Sequence, residues 1–208
     1  MSAVRTAYPD VFEALGTPRD TAGARVHVWT YEEYARLDEL GLFPERRFEL
    51  IEGRIIEMAP VGPRHFVATG LVDAVLRRIC PQGYFVSSAP VLKLGRSGPL
   101  PDVAIIRGRL QDYAGGVPTV AALLIEVSDS TLAPDRLDKG SLYAKSGIVD
   151  YWIVNLVDDV LEVYREPVLD PSQPSGFRYA KVEVYRPGSM ASPLVAPGAT
   201  VAVSDLIP

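Results

Sequence analysis

Two short apolar runs, one opened and one closed by an acid, constrain this chain more than any other feature. The first is Val103-Ala104-Ile105-Ile106, opened by Pro101-Asp102; the second is Ala121-Ala122-Leu123-Leu124-Ile125, closed by Glu126. Short β-branched and aliphatic runs bounded by Gly and Pro predict strands. An acid inside Leu123 to Val127 is unexpected, because an unpaired buried carboxylate is costly. In an antiparallel pair, one register sets both Asp102 opposite Glu126 and Arg107 opposite Ala121, and opposed residues share a face. Two carboxylates held that close repel unless a cation lies between them. The pattern therefore points to a divalent-metal site at one sheet edge. Hard cations prefer oxygen, so Mg²⁺ or Mn²⁺ held by Asp102, Glu126, the Val127 carbonyl and water is the expected occupant.

A basic residue follows. Asp135, Lys139 and Tyr143 recur every four positions, which stacks them on one helical face. Pro-Asp, then Glu closing the next strand, then a nearby Lys is the residue order of the PD-(D/E)xK nucleases. The wider wording, "FELIEGRIIEMAP", "RH", "LPDVAIIR", "LLIEVSDST" and "DRLDKGSLYAKSGIVDYWIV", resembles the Uma family of restriction endonucleases from Thr30 to Arg165 and, more weakly, through the tail. The resemblance implies a restriction-endonuclease-like α/β (α+β) fold. Its mixed sheet would be built on an α-β-β-β-α-β core, with an N-terminal helix and hairpin before it and extra C-terminal strands after it. The hydrophobic pattern alone gives α/β or α+β and agrees with that order. The implied activity is a metal-dependent, endonuclease-like phosphodiesterase that hydrolyses DNA with metal-activated water.

The resemblance also suggests roles. Glu49 matches an acidic residue of the family, for a second metal contact or water positioning. The nuclease pattern puts Lys two positions after the strand acid, where this chain has Ser128; the resembled family supplies the amine from the following helix, which makes Lys139 the substitute. His65 could touch phosphate or complete the site, and Tyr143 could hydrogen-bond the metal ligands. Each has an ordinary structural reading. Strand alternation would turn Glu49 outward, His65 could be an exposed first-turn residue, and Tyr143 could be packing. Lys139 could be a solvated partner of Asp135.

The remaining sequence sets bounds. The chain has 208 residues, enough for one domain with a sizeable core, and a formal charge of −5. That balance argues against a protein living by non-specific grip on DNA phosphates. The missing in-strand lysine and this charge keep a second reading open, a non-catalytic nucleic-acid-binding or assembly protein that retains the fold. The single Cys80 excludes an internal disulfide and fits a reducing, cytoplasmic setting. No apolar run approaches the roughly 20 residues of a membrane span. Two distant histidines and one cysteine exclude a closed zinc site, and no phosphate-binding or dinucleotide motif calls for an organic cofactor.

Residues 1–29 read as an arm and 30–208 as one domain. Thr30 and Glu33 predict a capping box opening a helix to Leu40, stopped by Pro44. Glu52-Gly53 predicts a hairpin turn, and His65 to Ile79 a helix with Asp73, Arg77 and Arg78 outward. Strands are expected at Tyr84 to Leu94, Tyr151 to Val157, Val160 to Arg165, Phe177 to Tyr185 and Ala199 to Val203, with a polar loop from Pro167 to Gly176. A cleaver of both DNA strands benefits from two-fold symmetry, so a homodimer is expected, with Phe177 to Tyr185 as the candidate interface.

Overall fold

The computed structural model describes residues 26–43 and 47–208. Pro44 and all but the last four residues of the expected arm lie outside them. Helix α1 (Tyr31–Glu39) starts at the capping box: the Thr30 side chain accepts from Glu33 N at 3.2 Å, and Glu33 Oε2 accepts from Thr30 N at 2.9 Å. The hairpin β1 (Phe48–Ile51) and β2 (Arg54–Glu57) turns at Glu52 and Gly53, with φ of 48° and 76°. Positive φ at both central residues is the turn whose twist matches paired strands. Gly53 is also required sterically, since a Cβ there would sit 2.3 Å from Val28 Cγ1.

Helix α2 (Pro63–Ile79) precedes strands β3 (Tyr84–Ser88), β4 (Val103–Arg107) and β5 (Leu123–Ser128). A helical segment over 132–145, here α3, leads to β6 (Asp150–Asn155), β7 (Val160–Leu169) and β8 (Phe177–Tyr185). The short pair β9 (Met190–Ala191) and β10 (Val201–Ala202) closes the chain. Strands β3 to β8 form one six-stranded sheet in chain order; β5 and β6 run parallel and the other neighbours antiparallel. A parallel pair needs a crossover, and α3 supplies it. The order α2-β3-β4-β5-α3-β6 is the expected α-β-β-β-α-β core.

Strand alternation divides the interior into two layers. Val103, Ile105, Leu123, Ile125, Val127 and Trp152 face α2, whose Ala68, Val72, Val75 and Leu76 cover them. Ala104, Ile106, Leu124, Tyr151 and Ile153 face Leu142, Tyr143 and Ala144 of α3. Both faces of the central strands are covered, which is why β5 and β6 are buried along their whole length. The β4–β5 ladder pairs Val103 with Ile125, Ala104 with Leu124 and Ile105 with Leu123. That is the register read from the acids, although the pairing stops short of Arg107 and Ala121.

Two strand boundaries differ most from expectation, while β6 and β10 shift by one or two residues at their ends. β3 ends at Ser88, because Ala89 takes a positive φ of 47° and Pro90 has no N–H to continue a ladder. Leu92 and Leu94 still reach the core from the loop beyond. The stretch 167–169, expected as loop, continues β7: Pro167, Val168 and Leu169 pair with Tyr179, Arg178 and Phe177. Pro167 is tolerated beside a local break, where Glu166 has φ of 60°. No helix among the described residues is long and apolar enough to cross a membrane.

Candidate active site

The C-terminal end of β5 and the start of α3 meet at a cavity of about 330 Å³. Glu126 projects from β5 on the α3 side, opposite in direction to Ile125 and Val127. It is 2 % exposed. Tyr143 donates its hydroxyl to Glu126 Oε1 at 2.7 Å, and Lys139 Nζ lies 3.1 Å from the same oxygen. The ammonium also lies 3.3 Å from Glu49 Oε2 and 3.6 Å from Asp135 Oδ1. Lys139 is buried at 6 % exposure, so its surface-pair reading is excluded.

The other members arrive from separate elements. Hydrogen bonds between Leu50 and Gly98 in both directions, at 3.2 and 2.8 Å, stitch the hairpin to the loop before β4. That contact turns Glu49 inward against the alternation expected of an exposed hairpin. Asp102, just ahead of β4, accepts from Val127 N at 2.8 Å through Oδ2. The same oxygen is 3.2 Å from His65 Nε2 in the first turn of α2. His65 is thus half-buried against an acid, not a free helix-end residue. Ser128, in the slot where the nuclease pattern has its lysine, donates to Asp135 Oδ2 at 2.6 Å.

Residues 135–139 form a π-helical turn inside α3. Such turns insert a residue into a helix and recur at functional sites. Here the turn buries both Asp135 and Lys139 at the cavity. Tyr151 donates to the Asp135 carbonyl at 3.0 Å and braces it. Asp135 was legible only as the residue four before Lys139, and its place as a fourth carboxylate of the cluster was not. Arg47, Asp129 and Thr131 also line the cavity; loop residues without periodicity offered no signal for them.

The electrostatics follow from crowding. Burial pushes the Glu126 carboxyl well above its ordinary range; Lys139 opposes this, while Asp135, Asp102 and Glu49 push it further up. Burial would lower Lys139, but Glu126, Glu49 and Asp135 outweigh it and keep the ammonium protonated. The hydrogen bond to Asp102 raises the His65 imidazole against its burial. Asp135 Oδ1 is the buried side-chain oxygen without a hydrogen-bond partner among the described residues.

Glu49, Asp102, Glu126, Lys139 and His65 therefore line one cavity, and Ser128 and Tyr143 support it from behind. No three His, Cys, Asp or Glu among the described residues form a group able to close on a metal ion by themselves.

A mixed sheet with this core order and an acid-and-lysine cleft at the end of its central strands defines a restriction-endonuclease-like protein. The chain belongs to the Uma2 family, described as "Putative restriction endonuclease", which it matches over residues 31–204. Among solved structures it is similar to the crystal structure of a "putative nuclease belonging to DUF820" from Anabaena variabilis. The two are 21 % identical, with a TM-score of 0.59 covering 82 % of this chain and 96 % of that one. No curated protein matches the chain.

Proposed function

We propose that this protein is a metal-dependent nuclease hydrolysing phosphodiester bonds of DNA. The observation that carries the reading is a charge imbalance: four buried carboxylates, Glu49, Asp102, Glu126 and Asp135, share a solvent-connected cavity with one buried lysine, with His65 against Asp102 and Arg47 at the wall not making up the difference. A divalent cation is the economical way to relieve it, and the donors are the hard oxygens such an ion takes. Asp102, Glu126 and the Val127 carbonyl would hold it. The chemistry that ion supplies is acidification of a bound water and neutralisation of charge on the phosphoryl oxygens.

This chain's own groups do the rest. Lys139 orients the attacking water or offsets negative charge gathering on the phosphate as water attacks in line. Glu49 fixes the ammonium, Tyr143 fixes Glu126, and His65 with the Val127 N–H fixes Asp102. Asp102→Ala and Glu126→Ala are each expected to cut Mg²⁺-dependent plasmid cleavage by about a thousandfold or more while circular dichroism stays native. Undiminished cleavage by both variants sinks the proposal.

One observation favours a second reading. Lys139 already pairs with three of the acids, as it would in a non-catalytic nucleic-acid-binding or assembly protein that keeps the fold. Titration calorimetry separates the two: no heat with Mg²⁺ or Mn²⁺, together with no nicking of plasmid, selects the second.

A further inference from the structure

The far edge of the sheet carries a different message from the cleft. Among the described residues β8, nine residues long, pairs with one strand only, β7, and so presents an edge without a partner strand, although its Phe177 and Tyr179 carbonyls already accept from Ser141 Oγ and Arg178. Such an edge invites pairing, and proteins that avoid it place an unmatched charge or a proline there. β8 does neither in its centre. Val182 and Val184 are 49 % and 58 % exposed, and the charges flanking Val182 are opposite in sign. Lys181 and Glu183 lie on the same side of the strand, 3.1 Å apart.

That sequence is complementary to itself. Laid antiparallel on a second copy about Val182, it sets Val182 on Val182, Ala180 on Val184, and Lys181 on Glu183 twice over. Opposite charges directly across a pair of strands stabilise it, and like charges destabilise it. We propose that β8 pairs with β8 of a second copy of this chain, forming a two-fold homodimer with a sheet continuous across both. The other edge, β3 (Tyr84–Ser88), has five residues and no charged side chain. A β3-to-β8 contact would also be head-to-tail, which propagates instead of closing. The cleft lies at β5, away from this edge, so the pairing leaves it uncovered and does not rest on the nuclease reading.

Sedimentation of the full chain over a range of concentrations tests this. The wild type is expected to show a reversible monomer–dimer equilibrium. Lys181→Glu and Glu183→Lys, both on the surface, each place like charges opposite one another and should weaken association by about tenfold or more. An equimolar mixture of the two single variants should recover a heterodimer, and the double variant Lys181→Glu/Glu183→Lys should recover a homodimer. A wild type that stays monomeric at every concentration overturns the proposal. So do single variants that associate as tightly as wild type, or a mixture and double variant that fail to recover.

Discussion

Two buried ionic groups in this protein are built on opposite principles. Asp150, fully buried, accepts from Arg165 Nε at 2.8 Å, Trp152 Nε1 at 2.9 Å and Leu194 N at 2.8 Å. One acid meets one base, and both carboxylate oxygens are used. Glu162 is similar, receiving Arg136, Tyr164 and Asn155. The cleft instead gathers three carboxylates around Lys139, sets Asp102 against His65 beside them, and leaves Asp135 Oδ1 without a hydrogen bond among the described residues. A balanced group ties β6, β7 and the tail together. An unbalanced one stores repulsion that an incoming cation can relieve, the usual exchange of stability for function.

If that contrast is right, the two groups respond oppositely to the loss of an acid. Asp150→Ala strands Arg165 and two N–H donors, and is expected to cost about 3–5 kcal/mol, read from the denaturant midpoint. A cost below about 1 kcal/mol, the scale of an exposed pair, would break the comparison. Glu126→Gln removes one of the crowded charges and keeps the hydrogen-bonding shape. It should stabilise the protein at neutral pH by about 1–2 kcal/mol while abolishing cleavage.

The pH dependence sharpens the point, because the signs differ. The Glu126 carboxyl is raised in the folded protein. The native state therefore holds that proton more tightly, and the associated stability is full below the unfolded carboxylate range and lost as pH rises through the folded value. The advantage of Glu126→Gln should accordingly grow from acid toward neutral pH. Glu162 has burial raising its carboxyl, but Arg136, Tyr164 and Asn155 outweigh this and hold it below its ordinary range. Its stability is present above the unfolded value and lost as pH falls through the folded one. The penalty of Glu162→Gln should therefore shrink in acid. Parallel slopes for the two variants in urea titrations at several pH values would contradict the distinction.

The smallest expected effect is on the wild type itself. At 10 mM Mg²⁺ and an affinity of about 1 mM, binding to the native state adds about 1.4 kcal/mol, a rise of a few degrees in melting temperature. Asp102→Asn and Glu126→Gln should lose it. An equal rise in all three proteins would mean that the ion acts elsewhere.

Some of this was legible before any coordinates. The capping box at Thr30, the turn at Glu52-Gly53 and the β4–β5 register are local or near-local, and their chemistry is written in adjacent residues. The register in particular followed from two acids and two apolar runs, because pairing one strand wrongly would bury the wrong face. Pattern failed where a tertiary contact outweighed it. Glu49 has the alternation of an exposed strand, yet the hairpin is docked on residue 98 and the side chain turns in. His65 sits where a helix dipole disfavours a cation, yet Asp102 comes within reach across the sheet end.

The sequence by itself determined the identity and spacing of the acids, the amine on the following helix, and the strand order that could bring them near. These depend on period and on local hydrogen-bonding choices, which a chain carries with it. Only the tertiary structure decided that Asp135 joins the cluster, that Ser128 serves it, and that one ammonium lies among several carboxylates. The physical reason is that side-chain proximity across elements depends on how α3 packs over β5 and on its π-helical turn. No residue encodes that packing alone.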